Sequence, residues 1–510
     1  MPLNILCGPV IGLVTQSTAI VLLEVDDDAD VTMELKISGK SHSRKKSLRA
    51  KTPTVYEFDG LQENKTYQIL VPEVSKKHLG EVRTLPLDIK KINVAVVSCD
   101  LAKLQSKVDM WERLYYDGRR DDVQILMHIG DNVYIDEEVS YDMTNQELIE
   151  DESRLLNAKK VDQNIPYVRA RSVLSGLSQD DWESKRQEIL EIYRDKYRRV
   201  WGRPSKARCL AHFSNLMILD DHDIRDDFGS EPQDGDPDHK EYFLGHIALQ
   251  VYHEYQRQLW DPDVMSKREE LYNEFYCITH GPLGILMLDA RMITSCYMPK
   301  RDPGDDTYYG KEQTADFRRQ FAGNGEVRLW LIAASLPLMF LKRKINELAE
   351  RTKIADDMAG FINVHHKSDF VPMLDMFRKW KERRGPGSDI MILAGDVHIG
   401  GFTDIYHKRD NKKSLVCRQV TTSPICNKHW KFHEYKAIRT MMRFTESYGS
   451  YGYHHYDWVN QCNFAILKID FSNPSLLKYS VELVFEKGSM MKHSHEKDWD
   501  KHTDSCCTML

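Results

Sequence analysis

Four short apolar runs in this chain each stop abruptly in residues that carry charge or a reactive atom. That recurrence constrains the fold more than any other feature. Val94-Ala95-Val96-Val97 runs into Ser98-Cys99-Asp100, and Ile125-Leu126-Met127-His128-Ile129 into Gly130-Asp131-Asn132-Val133-Tyr134. Leu216-Met217-Ile218-Leu219 runs into Asp220-Asp221-His222-Asp223, and Ile390-Met391-Ile392-Leu393-Ala394 into Gly395-Asp396-Val397-His398. Apolar runs this short predict strands buried on both faces, the grammar of an α/β domain. Ligands in such sheets gather at the strand ends, where side chains emerge along one edge. Carboxylates crowded there repel one another unless cations neutralise them, so the pattern predicts one metal ion or two. Each piece alone has an ordinary reading: Gly-Asp as a turn, Cys99 as core, Asp220–Asp223 as a helix cap, His398 as a structural histidine. The joint occurrence carries the expectation.

Around this core the chain changes character twice. Residues 1–90 read as a small β-sandwich, with strands expected at Val10–Val14, Ala19–Val25, Val31–Ile37, Val55–Phe58 and Tyr67–Val71. Phe58–Tyr67 looks like the corner turn of a fibronectin type III-like module, and the basic cluster Arg44–Lys51 reads as a solvated loop. Residues 91–485 read as the α/β domain, with further buried strands expected at Gly284–Leu288, Arg328–Ala334 and Phe464–Ile469. A helix is expected around Met110–Tyr116. The Lys-, Arg-, Glu- and Leu-rich stretch Glu147–Trp201 predicts a helical insertion at about 140–205, and residues 486–510 read as a polar, aperiodic tail.

Hydrophobic residues are 41% and charged residues 29% of the 510, which excludes a wholly disordered chain. The longest apolar stretch, Leu329–Leu341, is broken by Ser335 and Pro337 and is too short for a membrane span. A net charge of -7 argues against nucleic acid as the default partner. The ten cysteines are scattered apart from Cys506–Cys507, and no CxxC pair signals a zinc ribbon. The apolar run Leu3–Val14 lacks a preceding basic residue and is interrupted by Pro9 and Gly12, so it does not read as a secretory signal. The cytoplasm is the expected compartment.

The strand-end constellation resembles the calcineurin-like metallophosphatase superfamily and, within it, the alkaline phosphatase D (PhoD-like) family. The superfamily's usual opening Asp-x-His, its Gly-Asn-His and its closing Gly-His-x-His are replaced here by Ser98-Cys99-Asp100, Asp220-Asp221-His222-Asp223 and Gly395-Asp396-Val397-His398. Those departures, with a tyrosine three residues after Asp131, are the PhoD-like signature. Leu288-Asp289-Ala290-Arg291, Ser335-Leu336-Pro337 and Gln419–Pro424 fit the same family. The resemblance implies a four-layer α/β/β/α metallophosphatase sandwich preceded by the small β-sandwich domain.

It also implies the site. A thiolate from Cys99 and a phenolate from Tyr134 favour a strongly Lewis-acidic ion such as Fe(III), while the carboxylates suit Ca(II). By resemblance, iron falls to Cys99, Asp131, Tyr134 and Asp396. Asp131 then bridges to one or two calcium ions, helped by Asp221 and His398; other divalent metals would also suit the carboxylates. The expected reaction is hydrolysis of phosphate mono- or diesters by a metal-bound hydroxide or oxide. His222 or His398 would protonate the leaving oxygen, and Arg225 and Arg291 are candidate phosphate clamps. A phospholipid- or nucleotide-specific phosphohydrolase on the same centre is an alternative. Another is a lipid-anchored interaction protein with a vestigial metal site. Whatever the activity, Cys507-Thr508-Met509-Leu510 fits a prenylation pattern with Cys507 as acceptor, which implies association with a cytoplasmic membrane face.

Overall fold

The computed structural model describes residues 3–102, 108–137, 164–229, 232–267, 274–292, 309–345, 367–409, 412–444 and 446–493. At the N-terminus, β1 (Ile5–Val14), β2 (Ala19–Val25) and β5 (Thr54–Phe58) form one antiparallel sheet. The facing sheet has the order β4 (Lys40–Leu48), β3 (Ala29–Ile37), β6 (Thr66–Val71) and β7 (Ser75–Arg83). Inward residues such as Val21, Leu23, Val31, Met33, Leu35 and Ile69 fill the space between them. The expected corner is present: the Gln62 amide donates to the buried Tyr67 hydroxyl at 2.7 Å.

The basic cluster is not a loop. Arg44–Leu48 belongs to β4, and only Arg49–Lys51 lie beyond it. Its cations stand on an edge strand, where charge discourages pairing with other chains. They also reach the neighbouring sheet: Lys46 Nζ donates to the Val55 carbonyl at 2.9 Å and Arg44 Nε to the Glu57 carbonyl at 3.1 Å.

The remaining strands form two large sheets. The first has the order β10 (Ser214–Ile218), β9 (Ile125–Ile129), β8 (Lys91–Val97), β19 (Asn463–Asp470), β20 (Lys478–Phe485) and β21 (Gly488–His493). In it β8, β9 and β10 are parallel, with Val94 opposite Ile125 and Ile125 opposite Ser214. The second has the order β11 (Tyr276–His280), β12 (Leu283–Leu288), β13 (Leu329–Ala334), β14 (Asp389–Ala394), β16 (Lys412–Thr421), β15 (Gly400–Arg409), β18 (Tyr451–Val459) and β17 (Ser447–Tyr448). Here β12, β13, β14 and β16 are parallel.

Alternate residues of each strand face opposite layers, as the two-residue period demands. Val94 and Val96 join Met391, Leu393 and Val420 in the core between the sheets, while Ala95 and Val97 pack outward. Outside the first sheet lies α1 (Met110–Arg120), which buries Met110, Trp111 and Leu114. Its N-terminus is capped by Asp109, whose carboxylate accepts from the Trp111 and Glu112 amides. The described part of the expected insertion carries α2 (Pro166–Val173), α3 (Arg186–Trp201) and, following it, α4 (Pro204–Leu210); α5 (Lys240–Tyr255) packs on α3. Outside the second sheet lie α6 (Lys311–Gly323) and α7 (Lys367–Arg384), whose Phe321, Phe377 and Trp380 cover Trp330 and Ile390. The result is the expected α/β/β/α sandwich.

The tail begins later than expected. Residues 488–493 form β21, because Glu486 and Lys487 turn a hairpin that lets a sparingly apolar segment borrow the hydrogen bonds of β20. Residues 138–163 of the insertion and 494–510, with Cys506 and Cys507, lie outside the described residues. Among the described residues no helix is long and apolar enough to cross a membrane.

Candidate metal centre

The four loaded strand ends converge. Cys99 follows β8, Asp131 follows β9 and Asp220–Asp221 follow β10, all on one edge of the first sheet; Asp396 and His398 follow β14 of the second. The chain turns sharply at each point. Cys99, Asp131, Asp396 and His398 take left-handed backbone conformations, with φ of 56°, 53°, 63° and 53°. Such conformations cost non-glycine residues of order 1–3 kcal/mol each and persist where the surroundings enforce them. Two glycines allow the close approach. A Cβ on Gly130 would lie 2.7 Å from the Asp220 Cβ, and one on Gly395 2.6 Å from the Ser98 Oγ.

Three groups of donors share Asp131. Ligand atoms of Cys99, Asp131 and His398 lie within 4.8 Å of one another, as do those of Asp131, Asp221 and His222, and those of Asp131, Asp220, Asp221 and Asp396. The Tyr134 hydroxyl donates to Asp131 Oδ2 at 2.9 Å and lies 3.4 Å from His398 Nε2. The other oxygen, Asp131 Oδ1, is buried and accepts no hydrogen bond. A buried carboxylate oxygen without a donor is costly, and a cation removes that cost. The site therefore fits metal ions on its own geometry.

The electrostatics agree. Burial, and then the Asp220, Asp221 and Asp223 carboxylates, push Asp131 well above the usual carboxylate range against the charge of His222. Burial, Asp131 and Asp396 likewise push the Cys99 thiol well up, although Ser423 and Ser98 donate to its sulfur at 3.0 and 3.3 Å. These groups ionise together only when positive charge sits among them.

The histidines are held differently. For His222, burial lowers proton affinity, but Asp136, 3.0 Å from Nδ1, and Asp221 outweigh it and hold the ring well above its ordinary range. The ring lies on Tyr134, centroids 4.2 Å apart. His398 is pushed down to about 3 by burial and by the charges of His222 and Lys428; its Nε2 lies 3.3 Å from Asn427 Nδ2.

The two candidate arginines part company. Arg291 reaches the cluster: its Nε donates to Asp220, and its terminal nitrogen lies 3.1 Å from Asp221 and 3.6 Å from Asp396. The Asp289 carboxylate holds that loop by accepting from the Arg291 and Met292 amides at 2.8 Å. Arg225 instead binds the buried Asp234 and the Asp226 carbonyl, a largely buried structural ion pair. It is not brought among the metal-site donors. Asp100, beside Cys99, also turns away, pairing with Arg203 and Lys206 at 2.7 Å. Of the remaining histidines, His433 is 79% exposed, and His455 Nε2 lies 2.7 Å from the Phe340 carbonyl. His365 and His366 lie outside the described residues.

Several contributors escaped the sequence reading. Asp220 was visible as part of a motif but not as a donor, and Asp136, two residues beyond Tyr134, gave no sign that it orients His222. Asp223 accepts the Asp220 amide at 2.9 Å and Gln256 Nε2 at 2.9 Å, bracing the turn that carries Asp221. Ser423 lies in a segment already noted, yet its grip on the Cys99 sulfur depends on two chain segments 324 residues apart.

The sequence matches the PhoD-like phosphatase family over residues 94–476. The chain belongs to that family. Among solved structures, that of PhoD is similar over 95% of this chain and 88% of its own, with a TM-score of 0.62 and 13% identity, a likeness of fold. GAP50, the anchor in the inner membrane complex of Plasmodium, aligns over 78% of this chain and 86% of its own, with a TM-score of 0.35 and 8% identity. No curated protein matches the sequence. This PhoD-like phosphatase is thus a metal-dependent hydrolase of phosphate esters, with its donor cluster at the meeting edge of its two sheets.

Proposed function

We propose that this phosphatase hydrolyses phosphate mono- and diesters at a mixed iron–calcium centre. Cys99, Asp131, Tyr134 and His398 would hold Fe(III), and Asp131, Asp220, Asp221 and Asp396 would hold Ca(II), a placing of His398 and Asp396 that follows the donor groups and differs from the one the resemblance implies. The observation that carries this reading is the unpartnered Oδ1 of Asp131, the residue that all three donor groups share. Thiol and phenol beside carboxylates favour a strongly Lewis-acidic ion over a second alkaline-earth ion. Bound cations supply Lewis acidity toward phosphate oxygens and make a nucleophile from water near neutral pH.

The chain's own residues do the rest. Asp131, common to all the donor groups, would contribute to each ion. Arg291 adds a fixed guanidinium facing the cluster, where phosphate oxygens would lie. His222, oriented through Nδ1 by Asp136, holds a proton on Nε2 for the leaving oxygen. Ser98 and Ser423 keep the Cys99 sulfur aimed inward. A complete set of converging donors, buried or half-buried, speaks against the vestigial reading. A reducing, cytoplasmic compartment fits the same proposal, since the seven described cysteines are free and Cys99 must stay reduced to ligate as a thiolate.

The test is metal analysis of purified protein, with turnover of p-nitrophenyl phosphate and its bis-ester before and after chelation. Iron and calcium are expected, with activity lost on chelation and regained on reloading. Full activity in metal-free protein would overturn the proposal.

A further inference from the structure

A second surface adjoins the centre and has no part in the chemistry above. Asn427, which contacts His398, opens a segment running through Trp430 into α8 (Phe432–Met441). Trp430 ties that segment to the strand-end turn, its Nε1 donating to the Val397 carbonyl at 2.9 Å. The inner side of α8 is apolar: Ile438 and Met442 are buried against Leu336, Phe340 and Ile399. The outer side is the reverse of what the rest of the molecule predicts. In a chain of net charge -7, residues 428–446 carry five Lys and Arg against two Glu. Lys431, Lys436, Arg439 and Arg443 are exposed, as is the nearby Lys344.

Large apolar side chains project among these cations. Phe432 is 71% exposed and Phe444 57%, the only phenylalanines among the exposed large hydrophobic residues described. Phe432 opens α8, a helix about 15 Å long, and Phe444 lies in the turn after it. Lys436 Nζ sits 4.5 Å from the Phe432 ring centroid and Lys342 Nζ 6.0 Å from that of Phe444. A surface built for a folded partner would show contiguous apolar area. Isolated rings rising from a basic field are the pattern of a helix lying in a lipid interface, rings among the acyl chains and cations at anionic headgroups. A polynucleotide would also meet the cations, but the rings already have lysines at 4.5 and 6.0 Å from their centroids, where stacked bases would compete.

We infer that α8 and the turn after it form a docking face for an anionic lipid bilayer, joined to the Val397–His398 turn of the metal centre through Asn427 and Trp430. Docking would bring phosphate esters at that surface next to His398, an advantage that rests on the phosphatase reading; the docking itself does not.

The experiment uses the full chain carrying Cys507→Ser, so that no lipid on that residue contributes. Sedimentation with phosphatidylcholine vesicles is compared with vesicles containing about one-third phosphatidylserine, a composition chosen to give an anionic surface. Binding is expected only to the anionic vesicles and should fall with added salt. Lys436→Glu with Arg439→Glu should weaken it by at least about 100-fold, and Phe432→Ala with Phe444→Ala by about tenfold. Turnover of a small soluble ester should be unchanged in both variants, which separates loss of docking from loss of fold or catalysis. Absence of binding to anionic vesicles, or binding indifferent to both variants, would overturn the inference. So would tighter binding to a single-stranded oligonucleotide that the same substitutions abolish, which would make the face a nucleic-acid surface instead.

Discussion

Tyr134 and His398 are 264 residues apart in the chain, yet the Tyr134 hydroxyl lies 3.4 Å from His398 Nε2. One side chain follows a strand of the first sheet and the other a strand of the second, so their meeting measures how closely the two sheet edges approach. Everything proposed for the centre depends on that approach.

Tyr134→Phe removes the hydroxyl that donates to Asp131 and that would bind iron. A phenolate bound to Fe(III) absorbs visible light, so the purified wild-type protein should be coloured and the variant bleached or shifted. Absorption spectra with iron analysis check this. A colourless, iron-free and fully active wild type would leave only divalent metals at the centre.

Asp131→Asn should separate stability from activity. An amide bridges cations poorly, so turnover should fall on the order of 10³-fold. In chelator the same change relieves a buried carboxylate crowded by Asp220, Asp221 and Asp223, and the thermal midpoint should equal or exceed that of metal-free wild type. Asparagine also tolerates the left-handed backbone at this position, φ 53°.

Asp136 acts through His222. Asp136→Asn should lower kcat by roughly 10- to 100-fold, as losses of such orienting partners do, with a smaller change in KM. The sign of the pH effect follows from the charge. Without the carboxylate, His222 gives up its proton more readily, so the alkaline limb of the rate profile should move to lower pH. An unchanged limb would remove His222 as the proton source.

Ser423→Ala deletes the hydroxyl that donates to the Cys99 sulfur at 3.0 Å. Iron retention through dialysis should weaken about tenfold or more while calcium is kept, because the thiolate belongs to one group of donors only. Parallel analysis of both metals reads the difference.

One contribution to acid stability lies away from the centre. Burial alone pushes His280, on β11, down to about 4. The unfolded chain binds this proton near pH 6.5 and the folded chain does not, so stability present above pH 6.5 is lost as pH falls toward 4. Denaturant titrations of wild type and His280→Gln should show a pH 7-to-5 loss smaller in the variant by about 2 kcal/mol.

The strands of the centre were legible because their signal is local. Uninterrupted runs such as Ile390–Ala394 suit positions buried on both faces, and the structure places them between two layers. Strands whose signal is weak were not: β4 is written in lysine, arginine and serine, and β21 in residues that pair only because β20 lies beside them. Edge strands are held by a neighbour's hydrogen bonds more than by their own burial, so composition underreports them.

The sequence by itself determined the sheet-forming runs, the loaded strand ends and the family, because each is a property of a few adjacent residues. Only the tertiary structure decided which charges face the centre. Arg291 reaches Asp220 and Asp221 while Arg225 is taken by Asp234. Asp136 orients His222, and Ser423 holds a sulfur 324 residues away. The physical reason is that a side chain's partners depend on sheet register and on how closely two sheets stack, and neither is written in the residues on either side of it.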